Sequence, residues 1–265
     1  DNYSSREVLE DRLNKFLNSQ EELFGVSHAE KTIGQRFEGV IERAYKQTGR
    51  GVVILIDEYD KPLLQAIGNK ELQNEFRSTL KAFYGALKSM DGCIKFAFLT
   101  GVTKFGKVSV FSDLNNLEDM SMDPRFTTIC GITEEELHTR LRPSIEALAK
   151  SNKLTYEQCL EKMRYMYDGY HFLENVEGMY NPFSVLNTLK KQKFGSYWFE
   201  TGTPSYLVEV MKQDNYCLPN LTEEQVSGDF LNSIDSMSKN PIPLIYQSGY
   251  LTIKDYDEEF GDYKL

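Results

Sequence analysis

An aliphatic run stops abruptly at two carboxylates in residues 52–60, VVILIDEYD. Five consecutive aliphatic residues predict a central strand of a parallel sheet, buried on both faces. The carboxyl end of such a strand faces the ligand crevice of an open α/β sheet. Asp57 would then hold Mg²⁺, and Glu58 would polarise the water that attacks a γ-phosphate, as in a Walker B site. A core strand with an acidic first turn is the alternative interpretation.

A second apolar run, IKFAFLT at 94–100, predicts the neighbouring strand. Thr100, at its tip, is the first candidate for a sensor residue that contacts the γ-phosphate or its water, and Thr103 is the second. Lys104 and Lys107 are placed to reach phosphate from the same loop. A turn that carries ordinary surface lysines is the alternative here.

The loop after this strand nearly spells a phosphate-binding loop. Residues 101–108 read GVTKFGKV, so Val108 stands where the G-x-x-x-x-G-K-[ST] pattern needs a hydroxyl for Mg²⁺. The residues that follow, SVFSDLNNL, are a poor helix start, whereas a true phosphate loop opens a helix. The loop also follows the predicted Walker B strand instead of preceding it. We therefore expect no phosphate-binding loop at this position.

Composition limits the classes of protein to consider. The net charge of −10 argues against a domain held to nucleic acid mainly by overall positive charge, although a local basic patch remains compatible with it. No apolar run is long enough to span a bilayer, so we expect no membrane partner and a cytoplasmic location. The four cysteines lack a C-x-x-C pair and the three histidines lack zinc-ligand spacing, which argues against a structural zinc site.

The order of elements predicts an α/β fold. Two amphipathic helices precede the first strand, and a long helix at 71–90 separates the two strands. From about residue 133 the pattern becomes helical, and the end of the chain indicates two helices and a strand pair around an acidic turn. We predict a partial ATPase core at 1–132, a helical lid at 133–220 and a winged-helix-like region at 221–265.

Several long motifs resemble one known family. In chain order they are IDEYDKPL, FLTGVTKFGKVSVFSDLNNLEDMSMD, GITEEEL, YDGYHF, YNPFSVLNTL, YWFETGTPSYL and IYQSGYLTIKDYD. They are similar to the AAA-ATPase-like family, in which an ATPase module precedes a nuclease of the PD-(D/E)XK type. The resemblance runs from about residue 50 to the end. It implies a P-loop NTPase core that uses ATP and Mg²⁺.

The resemblance also implies roles for individual residues. Asp57 resembles the Mg²⁺ carboxylate, Glu58 the catalytic base and Thr100 the sensor. An arginine that acts on the γ-phosphate is expected, and Arg125, Arg140 and Arg142 are the candidates. Surface solvation is the alternative role for each of the three, and Arg125 is taken here as the one that binds the nucleotide.

The chain also departs from the family pattern. Family members carry an Arg-Pro-Arg-Arg-Phe-Gly-Lys-Ser phosphate loop near the N-terminus, which does not occur before Asp57. The carboxylate-lysine motif of the nuclease is not recognisable either. The sequence is therefore expected to be a fragment without phosphate loop and nuclease.

These observations predict the ATP-binding regulatory portion of a nuclease-associated protein, inactive in hydrolysis by itself. DNA, through the C-terminal region or a nuclease domain, and a homo-oligomer are candidate partners. The alternative is a non-catalytic DNA-binding or protein-interaction module with a degenerate ATPase fold.

Overall fold

The computed structural model describes residues 2–104, 110–111, 114–200, 225–232 and 241–265. Two long helices open the chain, α1 (Arg6–Phe24) and α2 (Ile33–Thr48). Ser5 caps the first helix, and a capping box between Thr32 and Gln35 starts the second. The helical periodicity of the sequence predicted both.

Two parallel strands follow, β1 (Val52–Ile56) and β2 (Ile94–Leu99). Within the described residues they form a two-stranded sheet. The prediction that β1 is buried on both faces is wrong, because Val53 is 54% and Leu55 71% exposed, whereas Ile54 is 8% exposed. One face of the sheet packs inward and the other, which also carries the half-exposed Phe96, does not.

Three helices connect the two strands, and α2 packs against β1. The connecting helices are α3 (Lys61–Gln65), α4 (Lys70–Tyr84) and α5 (Ala86–Ser89), followed by a 3₁₀ turn at Asp91–Cys93. The helix α3 has proline in its first turn, a position that proline tolerates. The single long helix expected at 71–90 begins at Lys70 and is divided at Gly85. The core next to the sheet includes the stacked rings of Phe37 and Phe83, whose centroids lie 4.4 Å apart.

The helical pattern after residue 132 is confirmed in the described part of the chain. A 3₁₀ turn at Pro124–Phe126 precedes α6 (Glu134–Thr139), α7 (Arg142–Ser151), α8 (Tyr156–Tyr167), α9 (Pro182–Lys191) and α10 (Tyr197–Glu200). A capping box between Thr133 and Glu136 starts α6. The sequence of residues 203–213, TPSYLVEVMKQ, also predicts a helix, and these residues lie outside the described part of the chain.

The C-terminal part contains three short strands and two short helices. They are β3 (Gln225–Ser227), α11 (Gly228–Asn232), α12 (Ile242–Gln247), β4 (Asp255–Asp257) and β5 (Asp262–Lys264). The strands form an antiparallel sheet in the order β3-β5-β4. The expected strand pair around an acidic turn is therefore present as β4 and β5.

The chain divides into two compact units. The described residues of the first are 2–104, 110–111, 114–117, 232 and 241–248, and those of the second are 118–200, 225–231 and 249–265. The first unit thus contains the parallel sheet and α12, and the second contains α6 to α10 and the antiparallel sheet. The domain boundaries given above stay a prediction.

Among the helices of the described residues, none is both long and apolar enough to cross a bilayer.

The unequal faces of β1 give a direct test of the sheet's orientation. Replacing Ile54 by alanine should lower the free energy of unfolding by about 2–5 kcal/mol, because it leaves a cavity in the core. Replacing its neighbour Leu55 by alanine should change it by about 0.5 kcal/mol or less, because that side chain is exposed. Urea unfolding of the two variants measures the difference, and equal losses would contradict the orientation.

Candidate functional site

The first residues after the two parallel strands lie against each other. The Thr100 hydroxyl donates to Asp57 Oδ1 at 2.6 Å, and the Asp57 side chain is exposed at the end of β1. The backbone fixes this pair, since the Thr100 N–H donates to the Ile56 carbonyl at 2.8 Å and the Tyr59 N–H to the Thr100 carbonyl at 3.0 Å. The structure therefore joins two of the residues that the sequence singled out.

Glu58 adopts a backbone conformation that is rare for a residue with a side chain. Its φ of 55° lies in the left-handed region. Its carboxylate forms an ion pair with Lys61 Nζ at 2.5 Å, and both side chains are partly exposed. This hydrogen bond raises the pKa of Lys61. Backbone strain at a residue next to candidate ligands is typical of functional sites.

Asp60 is buried and binds the loop that follows β2. It accepts hydrogen bonds from the Thr103 N–H at 2.6 Å, the Thr103 hydroxyl at 2.8 Å and the Val102 N–H at 3.2 Å. Burial raises the pKa of Asp60, and these hydrogen bonds oppose the rise. Thr103, the second candidate for the sensor, is itself buried and directs its hydroxyl to this carboxylate.

The same loop is also held at Lys104. The Lys104 N–H donates to Gln247 Oε1 at 2.5 Å, at the end of α12. Lys107 and the second half of the near-match to a phosphate loop, residues 105–108, lie outside the described residues. The described part of the loop, residues 100–104, thus has backbone contacts to the end of β1 and to α12.

Arg125 belongs to the second compact unit. Its guanidinium, 63% exposed, forms ion pairs with Asp123 and Glu118, which raise the pKa of Arg125. Arg142, in the same unit, pairs with Glu146. Asp57 belongs to the first unit, and the role of Arg125 stays a prediction.

Comparison with known proteins relates the first part of the chain to one family. Residues 1–111 match the sequence model of the AAA-ATPase-like family, described as a predicted AAA-ATPase. This part of the chain is therefore similar to that family. The chain is also 35% identical over 245 residues to an uncharacterized protein encoded in the vnfD 5′ region of Azotobacter chroococcum mcd 1. That match covers 92% of the chain and 45% of the relative, so the chain spans less than half the relative's length. No solved structure matches the chain.

The segment that matches the AAA-ATPase-like family contains Asp57, Glu58, Thr100, Thr103 and Lys104. Sequence reasoning missed Asp60 and Gly101 within it. A Cβ atom at Gly101 would lie 2.8 Å from Asp60 Oδ1 and 2.8 Å from Tyr59 Cε1, so glycine permits this close approach. Two features of the sequence could have indicated them. They are the second aspartate of DEYD, Asp60, and the G-x-T spacing of Gly101 and Thr103 after β2.

The donor atoms of this AAA-ATPase-like segment fit Mg²⁺ that is bound together with a nucleotide. Carboxylate and hydroxyl oxygens of Asp57 and Thr100 are hard ligands, and Mg²⁺ commonly binds one or two carboxylates together with substrate phosphates and water. Among the residues that the structure describes, no group of three or more His, Cys, Asp or Glu side chains could hold a metal ion. These residues therefore suit a metal ion that is bound together with phosphate oxygens better than one that is bound by protein side chains alone.

The left-handed backbone at Glu58 predicts an unusual response to glycine. Glu58→Gly should raise the free energy of unfolding by about 1 kcal/mol relative to Glu58→Ala, because glycine adopts positive φ without strain. Both variants lose the ion pair with Lys61, so alanine is the matched control. Thermal unfolding measures the difference, and an alanine variant as stable as the glycine variant would contradict the strain.

Burial of Asp60 predicts a pH dependence of stability. Because its folded pKa is raised above the usual 3.8, the folded state binds more protons than the unfolded state above that pH. The contribution of Asp60 should then be greatest below pH 3.8 and fall as the pH rises through the folded pKa. Denaturant unfolding from acid to neutral pH should show wild type losing stability relative to Asp60→Asn. Parallel pH profiles would contradict the raised pKa.

Proposed function

We propose that the chain is the ATP- and Mg²⁺-binding regulatory portion of an AAA-ATPase-like protein. The observation that carries the proposal is the hydrogen bond between Thr100 and Asp57 at the carboxyl ends of two adjacent parallel strands. Ligands bind outside the carboxyl ends of strands in open α/β sheets. The family match of residues 1–111 supports the same class of ligand.

The proposed roles follow from the chemistry of each side chain. Asp57 would bind Mg²⁺ through its carboxylate, directly or through water, and Thr100 would orient that carboxylate while its oxygen accepts from a water molecule. Glu58 would act as the general base towards water beside the γ-phosphate, after its carboxylate leaves Lys61. The bound Mg²⁺ would supply charge neutralisation at the phosphates.

We expect negligible hydrolysis by these 265 residues. The sequence contains no G-x-x-x-x-G-K-[ST] segment, and positioning of the phosphates provides most of the catalysis of phosphoryl transfer. The proposed activity of this chain is therefore binding, and hydrolysis would require phosphate contacts from another polypeptide segment.

Association with a nuclease, DNA or a second copy of the chain stays a prediction. The winged-helix interpretation of 221–265, which rests on the pattern of helices and strands, and a cytoplasmic location, which rests on composition, also stay predictions. Two observations do not favour reading of DNA by the C-terminal region. The helix before Gly249, α12, is buried along residues 242–246. The turn between β4 and β5 carries acidic Glu258 and Glu259, which repel phosphate.

Calorimetric titration with ATP, in the presence and absence of Mg²⁺, tests the proposal. Asp57→Ala should weaken Mg²⁺-dependent binding by about tenfold or more, because it removes the carboxylate ligand. Asp11→Ala is the matched control, since Asp11 is an exposed aspartate on α1 that pairs with Lys15. The control variant should bind as wild type does.

Two results would contradict the proposal. One is the same Mg²⁺-dependent affinity in wild type and Asp57→Ala, which would place the metal elsewhere. The other is no ATP binding by wild type at any accessible concentration, which would favour a scaffold without a nucleotide.

A further inference from the structure

Asp60 is fully buried, yet its described hydrogen bonds come from neutral donors. The two N–H groups of Val102 and Thr103 and the Thr103 hydroxyl bind its two oxygens. A buried carboxylate costs free energy unless it is well hydrogen-bonded, and here the hydrogen bonds that offset this cost go to one loop. What Asp60 holds is the loop directly after Thr100.

Tyr59 reinforces the same connection from the other side of the loop. Its hydroxyl donates to the Thr103 carbonyl at 3.0 Å, and its N–H donates to the Thr100 carbonyl at 3.0 Å. Tyr59 and Asp60, which follow β1, therefore hold both ends of the short segment from Thr100 to Thr103. We call these contacts of Tyr59 and Asp60 the clamp. Gly101, between these ends, has no room for a side chain against Asp60.

The consequence concerns the geometry of the proposed metal ligand. Whether the Thr100 hydroxyl reaches Asp57 depends on its χ1 angle and on the path of the backbone into the loop. The contacts to Asp60 fix that path within three residues of Thr100. Asp57 and Asp60 are three residues apart in the sequence DEYD. The same four residues therefore supply both the proposed Mg²⁺ ligand and the clamp on the loop.

We infer that Asp60 is a positioning residue, which holds residues 102 and 103 so that the Thr100 hydroxyl stays bonded to Asp57. This inference rests on the proposed function for its biological role, since a positioned Asp57 serves a nucleotide-bound Mg²⁺. Asp60 acts through Thr103, whose hydroxyl donates one of the hydrogen bonds of the clamp.

Two variants at Thr103 and one at Asp60 test the inference. Thr103→Val removes the hydroxyl donor with little change of shape, and Thr103→Ser retains the donor. Asp60→Asn places an amide where one of the two accepting oxygens stood. Thr79→Val is the matched control, because Thr79 is a buried threonine of α4 whose hydroxyl has no hydrogen-bond partner among the described residues.

Amide hydrogen exchange, measured by NMR, provides a readout that does not need a ligand. Thr103→Val and Asp60→Asn should speed exchange of the Thr100 N–H by about tenfold, on the basis that hydrogen bonds to charged groups are the strong ones. The N–H of Leu80, in the core helix α4, should exchange as in wild type. Thr103→Ser should restore the wild-type rate, and Thr79→Val should not change it.

Titration with Mg²⁺-ATP provides the second readout. Thr103→Val should weaken binding by about tenfold and Thr103→Ser should leave it unchanged, because the clamp acts through the hydroxyl. Should Asp60→Asn fail to fold, the two Thr103 variants decide the question by themselves.

The outcomes separate this inference from the proposed function. An unchanged Thr100 exchange rate in Thr103→Val would overturn the inference, even where residues 102 and 103 exchange faster. Faster exchange at Leu80 as well would also overturn it, since Asp60 would then support the fold in general. If wild type binds no Mg²⁺-ATP, the proposed function fails, while the exchange rate of Thr100 still decides whether Asp60 positions it.

Discussion

The parallel register between β1 and β2 is the constraint on which the candidate site depends. Ile56 pairs with Leu99, so the two strands end side by side and the next residues are Asp57 and Thr100. A shift of one residue would turn one of these side chains to the opposite face, because side chains alternate along a strand. The hydrogen bond between them is therefore a property of the sheet as well as of the two side chains.

The sheet itself is buried on one face. Ile54 packs into the core, while Val53, Leu55 and Phe96 are exposed on the other face, although parallel sheets are ordinarily covered on both. Burial alone consequently holds the strand ends less firmly than in a fully covered sheet. The clamp of Asp60 and Tyr59 on the loop after β2 adds hydrogen bonds at the strand ends, where packing contributes least stabilisation.

Much of the fold could be predicted because its signals are local. Caps such as Thr32 with Gln35, and apolar runs such as 52–56, specify where elements begin and end. The exposure of Leu55 could not be predicted, because an aliphatic run looks the same whether one or both faces are covered. The break at Gly85 falls at a residue of low helix propensity, which the apolar periodicity of the segment does not record.

Only the part of the candidate site that depends on strand positions could be predicted. Asp57 and Thr100 could be paired from their positions after two strands, because topology brings such residues together. Asp60 could not be distinguished from its acidic neighbours, since its role depends on burial against a loop that is 43 residues away in sequence. Arg125 belongs to the second compact unit, and its role stays a prediction from the family resemblance.

Glu58 has both a strained backbone conformation and an ion pair with Lys61. Its ion pair with Lys61 is partly exposed, and exposed ion pairs contribute about 0–1 kcal/mol, so releasing the carboxylate costs little. Its left-handed backbone costs about 1–3 kcal/mol, which local contacts of a folded chain must offset. The side chain is thus free to change partner while the backbone stays fixed between Asp57 and Tyr59. This combination would suit the proposed role of Glu58 as a general base that approaches water only after a ligand has bound.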